Sequence, residues 1–213
     1  TATPPAWLTQ AYPEVLNARP DGVPHYHGMR RHYTYNSEKY CELTARIVEK
    51  IAAHYAPHPA VIGWQIDNEL NCEVTEFYSK ADHRAFREYL KERFGTLERF
   101  NDAMGTVFWN QTYTDWEEVH LRRPNIHNAT NPHLSLEEKR FISRSTIRYC
   151  TLQADILKKY RRPDQFITTN GLFGHLDSHE MTESCLDFFT YDSYPGFAYG
   201  AGTEPGKPGS LDD

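Results

Sequence analysis

The segment VIGWQI at residues 61–66 most restricts the fold of this chain. It is a short apolar run that leads directly into Asp67, Asn68 and Glu69. A run of this length, following two prolines, is typical of a buried strand rather than a helix. The segment therefore predicts a core strand that carries three adjacent polar residues at its carboxyl end.

Two later segments repeat this pattern. FITTN at 166–170 ends in Asn170, and LDFFTYD at 186–192 ends in Asp192. Helical periodicity is found between and before the runs, at residues 37–55, 79–94, roughly 97–104 and 135–160. This β/α alternation predicts a parallel sheet. In such folds the functional site forms where the strands end.

Capping residues define the expected helix boundaries. Ser37 and Ser79 are suited to begin the first two helices, and Gly95 is suited to end the second. Ser135 with Glu138 matches a capping box for the long helix that follows. Little periodicity is present in two segments, which we expect to be irregular, residues 1–36 and 105–132.

Composition narrows the class of protein. With 213 residues and 39% hydrophobic residues, the chain can build one sizeable core. Aromatic residues make up 14% of the chain, which we attribute mainly to core packing and secondarily to stacking against sugars. A net charge of −6 without a basic stripe argues against nucleic-acid binding. No apolar run is long enough for a transmembrane helix, so we expect no membrane partner.

Glu69 is the leading catalytic candidate from position alone. A carboxyl group at the mouth of a strand is partly desolvated, which favours its protonated form and lets it donate a proton near neutral pH. Asn68 can hydrogen-bond a substrate hydroxyl. The alternative is that Asn68 or Glu69 caps the following turn. If strand alternation persists, Asp67 points away from Asn68, and a structural role suits it better.

Several motifs carry a family resemblance. They are TPPAWL at 3–8, GMRRHY at 28–33, WQIDNE at 64–69, the segment 90–119 containing FWNQ, TTN at 168–170 and YDSYP at 191–195. Their sequences and order resemble glycoside hydrolase family 42 β-galactosidases. The resemblance implies a retaining glycosidase and an α/β fold. The chain would form part of a (β/α)8 TIM barrel, roughly strands four to six with their helices and loops.

The resemblance also implies roles for individual residues. Glu69 matches the general acid/base, and Asn68 matches the partner of the sugar 2-hydroxyl. Arg30, in GMRRHY, matches an arginine that reaches the galactose site. Trp109, in FWNQ, matches an aromatic wall of that site. Tyr194, in YDSYP, matches the tyrosine at the end of strand six that hydrogen-bonds the nucleophile.

The nucleophile itself has no match in this sequence. A retaining glycosidase needs a second carboxylate about 5–5.5 Å from the first, and family members place it at the end of strand seven. Asp192 is a strand-end carboxylate, but strand six is the wrong place for it. We therefore expect residues 1–213 to be a partial catalytic barrel domain without its N-terminal strands and its nucleophile-bearing strand. The chain alone should be inactive.

Other expectations rest on the resemblance alone. The parent enzyme would hydrolyse terminal, non-reducing β-galactose from β-galactosides or galacto-oligosaccharides, without a cofactor, as a cytoplasmic homotrimer. Two alternatives stay open. One is another retaining barrel glycosidase with a different sugar preference, since Asn-Glu after strand four is widely shared. The other is a non-catalytic carbohydrate-binding or scaffold protein.

One departure from the family concerns zinc. Many members carry a zinc-binding cluster with one cysteine after RRHY and three after Asn-Glu. Here Thr34 follows RRHY, and Cys72 is the single cysteine in the segment after Glu69. One thiolate cannot complete a tetrahedral site. We predict no structural zinc, so metal analysis of the purified protein should find far less than one ion per chain. A stoichiometric ion would contradict this.

Overall fold

The chain folds as helices packed around the strands of a short parallel sheet. A computed structural model describes residues 3–171 and 174–192. Its α-helices are α1 (Ala6–Ala11), α2 (Glu38–Tyr55), α3 (Lys80–Phe94), α4 (Leu97–Met104), α5 (Pro132–Tyr160) and α6 (Ser178–Cys185). The strands are β1 (Gly63–Gln65) and β2 (Phe166–Thr168), and 3₁₀ turns lie at Pro13–Val15, Phe108–Asn110 and Trp116–Glu118.

The two strands pair in parallel, as the β/α alternation predicted. Gly63 lies opposite Phe166, and Gln65 lies opposite Thr168. Within the described residues, the predicted third strand is reduced to one parallel bridge, between Asn170 and Thr190. The other two strands are also shorter than their apolar runs. All three nevertheless lie side by side, so their carboxyl ends share one edge of the sheet.

Local capping chemistry sets most helix boundaries where the sequence placed them. The Ser37 side chain accepts a hydrogen bond from the backbone N of Tyr40 at the start of α2. Ser79 and Asp82 cap each other reciprocally at the start of α3. Gly95 follows α3 with a φ of 77°, a conformation that glycine adopts at little cost.

The start of the long helix α5 was predicted wrongly. The helix begins at Pro132, and the Asn131 side chain caps it by accepting from the backbone N of His133 and Leu134. Proline suits this first position because its missing N–H would have no helical partner. Glu138 does not close a capping box; its Oε1 accepts from the backbone N of Arg122 at 2.5 Å. Among the described helices, none is both long and apolar enough to cross a bilayer.

Stacked tyrosines form part of the buried core. The rings of Tyr33 and Tyr40 stack with centroids 4.1 Å apart, and those of Tyr35 and Tyr149 stack at 4.6 Å. This group joins the segment before α2 to both long helices. A second buried cluster packs α3 and α4 against the first half of α5 and the segment 105–132. Much of the aromatic content therefore serves packing.

The close approach of β1 to β2 generates a stability prediction. A Cβ atom added at Gly63 would lie 2.5 Å from two ring carbons of Phe166, well inside van der Waals contact. Gly63→Ala should therefore lower the free energy of unfolding by about 1–3 kcal/mol, measured by denaturant titration. Gly174→Ala is the matched control, since nothing lies within 4 Å of its added Cβ. Equal stability of the two variants would contradict the prediction.

Candidate active site

One amide side chain connects the strand ends. The Oδ1 atom of Asn170 accepts from the backbone N of Glu69 at 2.8 Å and from Gln65 Nε2 at 3.1 Å. Its Nδ2 atom donates to Asn68 Oδ1 at 3.2 Å and to Asp192 Oδ2 at 2.7 Å. Asn170 thus uses both of its donors and both acceptor positions. It therefore links the residues that follow β1 to Asp192, which follows the third strand position.

The backbone after β1 leaves the extended conformation. Asp67, Glu69 and Asn71 have φ values of 53°, 43° and 63°, in the left-handed region that non-glycine residues rarely adopt. Strand alternation, which was the condition for separating Asp67 from Asn68, therefore does not persist here. Each such residue costs about 1–2 kcal/mol, and residues of this kind cluster at functional sites. The Asp67 carboxylate supports the turn by accepting from the backbone N of Asn68 at 2.8 Å.

The Glu69 carboxyl group is largely enclosed and hydrogen-bonded by side chains. Its side chain is 10% exposed. Oε2 accepts from Asn68 Nδ2 at 3.1 Å and from Arg30 Nη2 at 3.3 Å. The predicted residues Glu69, Asn68 and Arg30 therefore come together at the carboxyl edge of the sheet. A carboxyl group in this setting can exchange a proton with a ligand above the edge.

Two arginines and further carboxylates surround this group. Glu73 pairs with Arg30, and its Oε2 accepts from Arg31 Nε at 2.8 Å. Arg31 Nη1 lies 4.0 Å from Asp67 Oδ1, and both of these side chains are buried. Although burial acts against it, the charges of Glu73 and Glu69 raise the pKa of Arg30. The pKa of Arg31 is also raised, against its own burial, with Asp67 and Glu73 among the causes. Both guanidinium groups therefore stay cationic.

The cysteines do not fit a structural zinc centre. In residues 3–171 and 174–192, one group has metal-ligand spacing: single ligand atoms of Glu69, Cys72 and Glu73 lie within 4.8 Å of one another. Arg30 already binds both carboxylates. Burial, with the adjacent Glu73 and Glu69 charges, raises the pKa of the Cys72 thiol, which therefore keeps its proton. Cys41 instead donates to the Tyr35 carbonyl. The absence of zinc stays a prediction for metal analysis.

Of the two remaining predicted site residues, Trp109 does not join this group and Tyr194 cannot be placed. Trp109 is 75% exposed and stacks on Phe108 at a centroid distance of 5.0 Å. Its ring also lies near that of His127, with centroids 6.3 Å apart, in the segment 105–132. Tyr194 lies outside the described residues. The roles of both residues stay predictions.

Three residues of the site were not identified as such from the sequence. Asn170 was identified as a polar strand end, but its contact with the Glu69 backbone depends on the pairing of the strands. Arg31 and Glu73 are separated by 42 positions along the chain and meet only after folding. Their types and spacing follow no pattern that a single sequence displays.

Comparison with known proteins identifies one family. The model of glycoside hydrolase family 42, described as Beta-galactosidase, matches residues 1–210. Beta-galactosidase Bga of Halorubrum lacusprofundi is 41% identical over 198 residues, which are 92% of this chain and 28% of that protein. The chain therefore spans less than a third of that relative's length.

Solved structures give the same result. A β-galactosidase from the Antarctic haloarchaeon Halorubrum lacusprofundi matches with a TM-score of 0.87 at 38% identity, covering 96% of this chain and 31% of that one. The β-galactosidase of the psychrophilic Marinomonas ef1 matches with a TM-score of 0.86 at 36% identity, covering 91% and 30%. The described strands and helices are thus part of a (β/α)8 barrel, as predicted.

The Asn170 contacts generate a prediction about the site's stability. Asn170→Asp keeps the acceptor for Glu69 and Gln65 but replaces the donor that serves Asn68 and Asp192. We expect the protein to lose about 1–3 kcal/mol of stability at neutral pH. The loss should shrink as the pH falls, because the neutral carboxyl group is a donor again and is favoured in the folded state.

Thermal unfolding of the protein between pH 4 and pH 8 measures this effect. Asn110→Asp is the control, because it makes the same change at an exposed position in a 3₁₀ turn. If the two variants lose the same stability at every pH, the proposed bridging role of Asn170 is wrong.

Proposed function

The chain belongs to glycoside hydrolase family 42, and we propose that the protein it forms part of is a retaining β-galactosidase with Glu69 as its general acid/base. One observation carries this proposal: a largely enclosed carboxyl group, bound by an amide and a guanidinium, lies at the carboxyl edge of parallel barrel strands. Barrel enzymes build their active sites at this edge.

Glu69 performs two proton transfers in this proposal. It first donates a proton to the glycosidic oxygen, so that the aglycone leaves as a neutral alcohol. It then takes a proton from water, and the resulting hydroxide nucleophile releases the sugar from its covalent intermediate. The hydrogen bond from Asn68 orients the carboxyl group for both steps.

We assign the covalent step to a carboxylate outside this sequence. The distance between the two carboxylates of a retaining pair is about 5–5.5 Å. Asp192 Oδ2 accepts a hydrogen bond from Asn170 and follows the position that the resemblance assigns to strand six, whereas the family places the nucleophile on strand seven. In this proposal residues 1–213 supply the acid/base part of a catalytic barrel domain. This chain covers less than a third of the length of each of these relatives, which supports this division.

Galactose is the proposed sugar because the relatives are named β-galactosidases. Asn68 would bind the 2-hydroxyl, Arg30 would reach the galactose site, Trp109 would form an aromatic wall, and Tyr194 would hydrogen-bond the nucleophile. The contacts of Arg30 and Asn68 with Glu69 support the roles proposed for these two residues. The oligomeric state and the cytoplasmic location remain predictions from the family.

Replacement of the acid/base tests the proposal in the full-length protein. Glu69→Gln keeps the size of the side chain but cannot transfer the proton, so kcat for a β-galactoside with a poor leaving group should fall by about 10²–10⁴-fold. A substrate with a good leaving group, such as a dinitrophenyl galactoside, should lose much less in its first step. Added azide should accelerate its turnover and yield β-galactosyl azide, because azide needs no base to attack.

Glu76→Gln is a matched control, because it makes the same substitution at a residue that pairs with Arg122. Full activity of Glu69→Gln on both substrates would refute the acid/base assignment. Greater activity on a β-glucoside or β-mannoside than on a β-galactoside would favour the alternative of another retaining glycosidase.

A further inference from the structure

Glu73 has no role in the proposed proton transfers, yet it is central to the charged network beside Glu69. Its side chain is 32% exposed and contacts two consecutive arginines. Arg30 contacts Glu73 through the same Nη2 atom that donates to Glu69. The guanidinium of Arg30 is therefore shared between two carboxylates, and one of them is the proposed acid/base.

This sharing matters for the chemistry of an acid. A guanidinium paired with Glu69 alone would favour the charged carboxylate and make Glu69 a poorer proton donor. A second carboxylate that pairs with the same guanidinium weakens the contact between that guanidinium and Glu69. It also offsets the positive charge of the guanidinium. The Arg30 contact can then orient Glu69 while the positive charge of the guanidinium is offset by Glu73.

Arg31 fixes Glu73 in this position. Its Nε atom donates to Glu73 Oε2 at 2.8 Å, and its side chain is 3% exposed. Arg31 is held in turn near Asp67, whose side chain is fully buried. Glu73 thus pairs with a buried arginine on one side and with Arg30, whose side chain is 39% exposed, on the other.

We infer that Glu73 is a positioning residue for the acid/base: it holds Arg30 between two carboxylates, so that Arg30 orients Glu69 while Glu73 offsets the guanidinium charge. This inference rests on the proposed function of Glu69. Among the residues that the structure describes, the charged and titratable groups with contacts in this network are Arg30, Glu73 and Cys72, with Arg31 and Asp67 behind them.

The pH dependence of kcat/KM in the full-length protein tests this inference. The alkaline limb of that profile reports the loss of the proton from the free enzyme's acid. With Glu73→Gln, Arg30 should pair with Glu69 alone, and the limb should move to lower pH by about 0.5–1 unit. Glu76→Gln is the control: its side chain is 35% exposed and pairs with Arg122, so the limb should not move.

A second comparison separates positioning through Arg30 from direct repulsion between the two carboxylates. In an Arg30→Gln background, Glu73→Gln should move the limb clearly less than it does in the wild type, because the shared guanidinium is gone. An equal shift in both backgrounds would overturn the inference, and so would an unmoved limb in Glu73→Gln alone. If Glu73 only stabilised the fold, Glu73→Gln would lower the melting temperature and leave the alkaline limb of the profile in place.

Failure of the proposed function gives a different result. If Glu69→Gln retains the wild-type rate and pH profile, the acid/base assignment fails and the inference fails with it. If Glu69→Gln is impaired as proposed but the Glu73→Gln limb stays in place, only the role of Glu73 is wrong.

Discussion

The parallel pairing of β1 with β2 is the constraint on which the candidate site depends. The backbone N of Ile66 donates to the Thr168 carbonyl at 2.8 Å, and Thr169 Oγ1 donates to the Ile66 carbonyl at 2.6 Å. These bonds fix the register just past the strands. A slip of one residue would turn Asn170 to the opposite face of the sheet and remove it from the Glu69 backbone. The position of the proposed acid therefore follows from the alignment of two three-residue strands.

The turn that carries Glu69 is strained, and buried contacts hold it in place. Asn71 ends the series of left-handed residues and is completely buried. Its Oδ1 accepts from Thr146 Oγ1, on α5, at 3.2 Å. Asn170 holds the turn from the other side. Residues in such conformations persist only where their surroundings determine them fully. The tyrosine core and α5 thus supply the rigidity that a positioned carboxyl group requires.

The sequence predicts the parts of this fold that depend on local chemistry. The caps at Ser37 and Ser79 act within one helical turn, so residue type and spacing suffice to find them. The start of α5 was missed because Ser135 and Glu138 fit the same local rule, while the fold uses Glu138 elsewhere. Strand lengths were overestimated for a similar reason. Apolar composition indicates burial, but the end of pairing depends on the backbone turn at Asp67.

The charged network shows why part of the site escapes prediction. Successive side chains of an extended segment point in opposite directions. In an extended segment, the side chains of Arg30 and Arg31 would therefore lie on opposite sides of the backbone. Arg31 has a φ of 61° and breaks that alternation. One arginine is buried and the other is partly exposed, yet both contact Glu73. The resemblance identified Arg30, but the convergence of the pair accompanies a left-handed backbone conformation at Arg31 that no residue pattern in the sequence indicates.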